Sequence, residues 1–195
     1  MSHHIYHTNA IIIGSKPQGE ANKILSIYTR ELGLVNATVQ GIRYEKSKLR
    51  FALQDFSLAQ VDLVRGREVW RVTSATTQNL FPFIRKDSEA LLIFARLAKL
   101  IERLMPGETA HEKIFDDILQ GLSLLDNEIV EKETIEAIEL YLVLRIVYEL
   151  GYVGDSEIIN EHLGGNFDPN NASVLLSKKR SIVLAINTAL SESHL

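Results

Sequence analysis

The chain contains no cysteine among its 195 residues. Disulfides, thiolate metal sites and cysteine nucleophiles are excluded together, and a reducing, cytoplasmic setting is expected. Long hydrophobic runs are missing too. The longest strictly apolar stretch, residues 90–95, falls far short of the ~20 residues of a membrane span, as does the run over 140–144. The first residues, Met1-Ser2-His3-His4-Ile5-Tyr6-His7, lack a basic leader and a cleavage site, so secretion is not expected. Proline is scarce (four residues), and there is no proline- or serine-rich linker and no internal repeat.

Catalytic signatures are equally absent. The sequence has no phosphate-binding glycine loop, no His-Glu-x-x-His, no Gly-x-Ser-x-Gly and no kinase motif. His3, His4 and His7 are read as an N-terminal fringe. His111 with Asp116 and Asp117 is read as the solvated face of a helix, and His162 with Asp168 lacks a third ligand for a metal. The expectation is a non-enzyme with no metal, no cofactor and no small-molecule substrate.

What is present is charge of one sign in one place. The whole chain is acidic, with a formal charge of −4, but residues 1–85 carry eleven Lys/Arg against six Asp/Glu. The remainder carries ten against nineteen. A basic half joined to an acidic half points to two domains, the first facing a polyanion. The sharpest cluster is residues 41–56. It holds Arg43, Lys46, Lys48 and Arg50 with the rings of Tyr44, Phe51 and Phe56. Cations interleaved with aromatics suit a surface that holds a phosphate backbone and stacks its bases. Such clusters also occur as plain solvated surface; the position of this one between two strands favours the binding role.

Residues 6–13, 24–30, 34–40, 57–64 and 68–76 are β-rich runs separated by turn signals at Ser15-Lys16-Pro17-Gln18-Gly19, Glu31-Leu32-Gly33 and Arg65-Gly66-Arg67. Five short strands predict a closed oligonucleotide-binding (OB) barrel over residues 1–80, with the basic segment as the connection between its third and fourth strands. Within that segment a short helix over residues 47–54, capped by Ser47, is expected. On the second strand, Leu25, Ile27 and Thr29 share one face and Ser26, Tyr28 and Arg30 the other. Tyr28 is then either a stacking ring beside Arg30 or a half-buried barrel residue with its hydroxyl in water.

From Asp87 onward the pattern is helical, predicting an all-α domain over residues 81–195 and an α+β chain overall. Asp87-Ser88-Glu89 opens the first helix and Pro106-Gly107 ends it. Thr109-Ala110-His111-Glu112 reads as a capping box for the next. Residues 134–150 are apolar nearly all round, as a central helix would be, with Gly151 as terminator. Residues 156–163 are read as a short helix at best, 164–171 as loop, and a last helix is expected from Ser177.

In this order the motifs resemble the RecO family of bacterial recombination mediators. The likeness runs through Thr8-Asn9-Ala10-Ile11-Ile12-Ile13-Gly14-Ser15, Gly19-Glu20-Ala21-Asn22-Lys23-Ile24-Leu25 and Tyr28-Thr29-Arg30-Glu31-Leu32-Gly33-Leu34. It is most specific at Gly41-Ile42-Arg43 and from Lys46-Ser47-Lys48-Leu49 to Leu53-Gln54-Asp55-Phe56, and returns at Leu144-Arg145 to Leu150-Gly151-Tyr152. The resemblance implies binding to single- and double-stranded DNA and annealing of complementary strands. It also implies cooperation with RecR in loading RecA onto strands coated by single-stranded-DNA-binding protein (SSB). The SSB C-terminal tail would dock on the helical domain, with Arg103, Arg145 or the Lys178-Lys179-Arg180 run as candidate cations. Three departures stand out. The four cysteines of a zinc module found in many relatives are absent between Val153 and Leu176, Asp55 replaces the motif proline, and the chain is short for the family, so a reduced helical domain is expected.

The expected phosphate contacts are Arg43, Lys46, Lys48 and Arg50, supported by Lys23, Arg30, Arg65 and Arg67, with Tyr28 as stacking ring and Lys16 nearby. Action at the nucleoid is implied. Two rival readings remain at this stage: an RNA-binding OB protein using the same patch, and an adaptor whose helical domain carries the function.

Overall fold

The computed structural model describes residues 4–67, 69–154, 163 and 167–192. His3, Glu68, His162, residues 164–166 of the expected loop and all but Leu163 of the expected 156–163 helix lie outside the described residues. Two compact units form: Met1–Pro82 with Phe94–Phe115, and Phe83–Ile93 with Asp116–Leu195.

In the first unit five strands close on one another: β1 (Ile5–Gln18), β2 (Asn22–Thr29), β3 (Gly33–Val39), β4 (Ser57–Arg65) and β5 (Trp70–Asn79). Their order around the ring is β1-β2-β3-β5-β4. Every pairing is antiparallel except β3 with β5, where Ala37 and Thr38 face Trp70 and Arg71 in parallel. This is the OB-fold expected from the strand pattern. Period-two alternation sends Ala10, Ile12, Leu25, Ile27, Val35, Ala37, Val39, Ala59, Val61, Leu63 and Val72 into the barrel core.

The apolar run Ala10-Ile11-Ile12-Ile13 breaks that alternation because β1 is buried on both faces. Outside the barrel, Phe115 lies 5.6 Å from the Tyr28 ring, and Phe94 lies 5.0 Å from Phe56 and 5.6 Å from Phe81. Residues 94–115 thus cover part of the barrel's outer surface. The β2–β3 turn also meets them: Leu34 N–H donates to the Gly107 carbonyl at 3.1 Å, and Gly33 sits against the Thr109 backbone with φ +72°.

β1 continues through Ser15-Lys16-Pro17-Gln18, which the turn residues predicted to be loop. Lys16, Pro17 and Gln18 pair with Ile24, Lys23 and Asn22, and the chain reverses at Gly19 with φ +62°. Proline is tolerated there because pairing with β4 ends at Ile12, so no ladder on that side loses a donor.

Helices supply the rest: α1 (Leu49–Ala52), α2 (Ser88–Leu104), α3 (Glu112–Leu125), α4 (Lys132–Glu149), α5 (Ala172–Ser177) and α6 (Lys179–Glu192). Asp87 caps α2, its Oδ1 accepting from the backbone N–H of Glu89 and Ala90 at 2.8 and 3.0 Å. α3 starts at Glu112, two residues later than a Thr109 box would set it. In the second unit α4 is buried on all sides, as its sequence requires. It ends in a Schellman turn: Gly151 (φ +76°) and Tyr152 donate to the carbonyls of Tyr148 and Val147. Among the described residues no helix is long and apolar enough to cross a membrane.

Candidate nucleic-acid interface

The basic segment is a plug with a charged outer surface. Ile42, Ala52 and Leu53 are buried in the barrel core and Leu49 packs against it. Within one helical turn, Leu49, Ala52 and Leu53 point inward, so Lys48, Arg50 and Phe51 must point outward. Arg43, Lys46, Lys48 and Arg50 are all exposed, and so are Tyr44 and Phe51 at 66% and 67%. The helix is shorter than expected. It begins after Lys48, and no side chain caps it. Ser47 contributes its carbonyl to Arg50 N–H at 3.3 Å, in place of the hydroxyl cap predicted for it.

The β1–β2 hairpin braces the segment. Arg43 N–H donates to the Ala21 carbonyl at 3.0 Å, its guanidinium donates to the Gly19 carbonyl at 2.8 Å, and Gly41 N–H donates to Asn22 Oδ1 at 2.9 Å. At the far end, Phe56 (φ +58°) donates its N–H to the Ile12 carbonyl at 2.7 Å. Between them runs a polar relay, in which Lys23 Nζ donates to Ser15 Oγ and Ser15 Oγ to Asp55 Oδ2, each at 3.1 Å. The acid that interrupts the basic cluster therefore ties the segment to β1. Glu20 and Glu45 are exposed beside the cations and subtract from their field.

The supporting residues are placed differently from one another. Lys16 is exposed and Lys23 half-buried on the hairpin that braces the segment. Arg30 is ion-paired with Glu112 at 2.7 Å and lies 3.7 Å from Glu31. Arg65 pairs with Glu108 and lies over the Trp70 ring, 5.3 Å from its centroid, while Trp70 Nε1 donates to Glu108 at 2.9 Å. Arg67 is exposed on the β4–β5 turn. Along β1 that turn belongs to the Ile5 end and the basic segment to the Ile12 end, seven residues or roughly 23 Å apart at ~3.3 Å per residue. Along this strand the two groups of cations are not one cluster.

Tyr28 is corrected by the structure. It is on the outer face, as alternation predicts, but has no exposed surface. Its hydroxyl donates toward the His111 carbonyl at 3.5 Å and its ring is covered by Phe115. It cannot stack a base. Phe56, tilted against Phe94, is likewise largely committed.

Two readings in the second unit change as well. Asp117, read as solvated, is buried and accepts from Arg145 Nε at 2.7 Å, while Arg145 also donates to the Leu163 carbonyl at 2.6 Å. Burial works against the charge of Arg145. The Asp117 hydrogen bond and the neighbouring acids outweigh it, and its pKa lies above the ordinary value. A guanidinium so enclosed is not available to a partner's carboxylate. Of the other candidate cations, Arg103 and Arg180 are exposed and Lys179 pairs with Glu136.

Comparison with known proteins agrees with this architecture. The sequence model of the family described as "Recombination protein O N terminal" matches residues 1–81. The DNA repair protein RecO of Pelotomaculum thermopropionicum is 34% identical over 121 residues, 62% of this chain and 47% of that protein. Those of Dehalococcoides mccartyi (strain ATCC BAA-2266) and Alkaliphilus metalliredigens are 32% and 30% identical over 140 and 137 residues, covering 72% and 70% of this chain and 55% and 56% of theirs. The chain spans about half the length of the curated relatives it matches. Residues 1–81, which build the five-stranded barrel, are thus similar to the N-terminal part of the RecO family, and the likeness to its members extends into the helices.

Proposed function

We propose that the chain is a DNA-binding recombination mediator in DNA repair, with residues 1–80 as the nucleic-acid-binding domain and 81–195 as a helical domain for protein partners. One observation carries the reading. Four cations stand exposed on a short segment whose apolar residues are buried in the end of an OB barrel. A fixed backbone of this kind presents positive charge to phosphates without first having to be ordered. Holding two strands on such a surface reduces their repulsion, and annealing then needs no covalent step and no nucleotide cofactor. The longer relatives are named DNA repair proteins, and exchange of SSB for RecA, together with RecR and the SSB tail, is the role proposed for the full assembly. The setting is the cytoplasm, at the nucleoid.

Fluorescence anisotropy of a labelled single-stranded DNA across a salt titration tests the reading. If Arg43, Lys46, Lys48 and Arg50 each neutralise one phosphate, the log–log slope is about −2.8, at ~0.7 per contact on single strands. Affinity then falls about 50-fold between 50 and 200 mM salt. In Lys46→Glu/Lys48→Glu the slope drops to about −1.4 or less, and the same salt step costs only about sevenfold. Unchanged affinity and slope in that variant would remove these residues from the site. Stronger binding of a matched RNA in competition would move the substrate class.

A further inference from the structure

Of the aromatic residues near the cations, the structure withdraws Tyr28 and commits Phe56 to Phe94. Tyr44 and Phe51 are left two-thirds exposed on the same segment. Each is rigidly mounted. Tyr44 N–H donates to the Gly41 carbonyl at 3.1 Å and its carbonyl accepts from Ser47 at 3.0 Å. Its ring lies against Gly41, whose φ is +65° and where an added methyl would come within 3.2 Å of the ring. Phe51 precedes Ala52 and Leu53, both buried in the barrel, so its Cβ is directed away from the core. Arg50 flanks Phe51 in sequence and Arg43 flanks Tyr44, and both are exposed.

An exposed ring forgoes the burial that usually makes an aromatic favourable. Two of them, fixed among phosphate-binding cations, supply what the cations lack: a face that a base can lie on. Resting on the nucleic-acid reading above, we propose that Tyr44 and Phe51 are base-stacking platforms and that the site therefore prefers single strands to duplex. A duplex keeps its base faces covered by their neighbours and can use only the cations. A single strand can use both, and phosphate contact with base stacking is the combination by which strands are held without sequence preference.

The test compares wild type with Tyr44→Leu/Phe51→Leu on three labelled probes: a single strand, the same strand with abasic sites, and a duplex. Both rings are exposed, so far-UV circular dichroism and the thermal midpoint should not move. Single-strand affinity is expected to fall about tenfold or more, given stacking on the order of 1–3 kcal/mol per base. Abasic-strand and duplex affinity should change by less than about twofold, and the salt slope should be unaltered, because the phosphate contacts remain. An equal loss on all three probes, or no loss on any, would overturn the platforms. Lys46→Glu/Lys48→Glu separates the two ideas, since it should weaken all three probes together. If it weakens none while the ring variant acts on the base-bearing single strand alone, the cationic reading fails and the platforms stand. Wild type that binds no probe at low salt would remove both.

Discussion

Asp117→Asn should destabilise the helical unit out of proportion to so small a chemical change. The Asp117 and Arg145 side chains are 9% and 7% exposed, and their contact is 2.7 Å long. Asparagine keeps the shape of the partner and removes its charge, leaving a guanidinium in a site that water scarcely reaches. Breaking a buried pair in this way costs about 3–5 kcal/mol. Two features place the value near the bottom of that range, about 3 kcal/mol: Glu149 remains 3.9 Å from Arg145 Nε, and the Leu163 carbonyl still accepts from the other side of the guanidinium. Replacing both partners tells whether the penalty belongs to the stranded charge. Asp117→Leu/Arg145→Met removes both ions, and its cost should fall below that of Asp117→Asn, since an apolar pair of similar volume is often neutral or better. Urea denaturation followed at the helical band reads the effect. The one tryptophan, Trp70, lies in the barrel unit, so its fluorescence follows that unit in the same titration. A cost for Asp117→Asn under about 1 kcal/mol, or a double variant as damaged as the single one, would refute the stranded-charge argument.

Two other expectations follow from single residues. Gly33→Ala should lose about 2 kcal/mol or more of stability, because alanine at φ +72° is strained by about 1–2 kcal/mol and its methyl would lie 2.8 Å from the Thr109 backbone nitrogen and carbonyl carbon; a urea midpoint equal to wild type would show that the β2–β3 turn moves freely away from Thr109. Burial raises the Tyr141 hydroxyl above the ordinary tyrosine value, so the folded state holds its proton after the unfolded chain has begun to release it near pH ~10. The resulting stability is intact below about pH 10 and declines above it; Tyr141→Phe should flatten that decline in urea titrations at pH 9 and 10.5, and an unchanged alkaline slope would assign it elsewhere.

The strands were legible because each alternates or runs apolar over a short span, and the closing order follows from short connections and the long third-to-fourth link. Exposure of Arg43, Lys46, Lys48 and Arg50 was legible for the same local reason: their neighbours Ile42, Leu49, Ala52 and Leu53 take the buried positions. Tyr28 was not. Alternation sends it outward, and only residues some eighty positions later, Met105, His111 and Phe115, decide that outward means buried. Asp117 and Arg145 escaped for a related reason. They are 28 residues apart on different helices, and the pattern on α3 alone fits a surface position for Asp117. The only signal available was an arginine on the otherwise apolar run of α4, where a charge needs a partner that the local sequence does not name.

An acidic chain can carry a site for a polyanion because the relevant charge is local. At physiological ionic strength charges more than ~8 Å apart are largely screened, so the field at Arg43–Arg50 is set by near neighbours and not by the net charge of the chain. What weighs there is the immediate set: the four cations, with Glu20 and Glu45 against them and Asp55 held by Ser15. Geometry then matters more than count. A lysine cluster on a free loop would have to give up the loop's conformational entropy on binding, about 1–2 kcal/mol for each residue ordered. Here Ile42, Leu49, Ala52 and Leu53 have already ordered the segment when the barrel folds. The hydrophobic effect that closes one end of the barrel thus also preorganises the charged surface, and for this reason the exposed cations alternate with core residues along the segment.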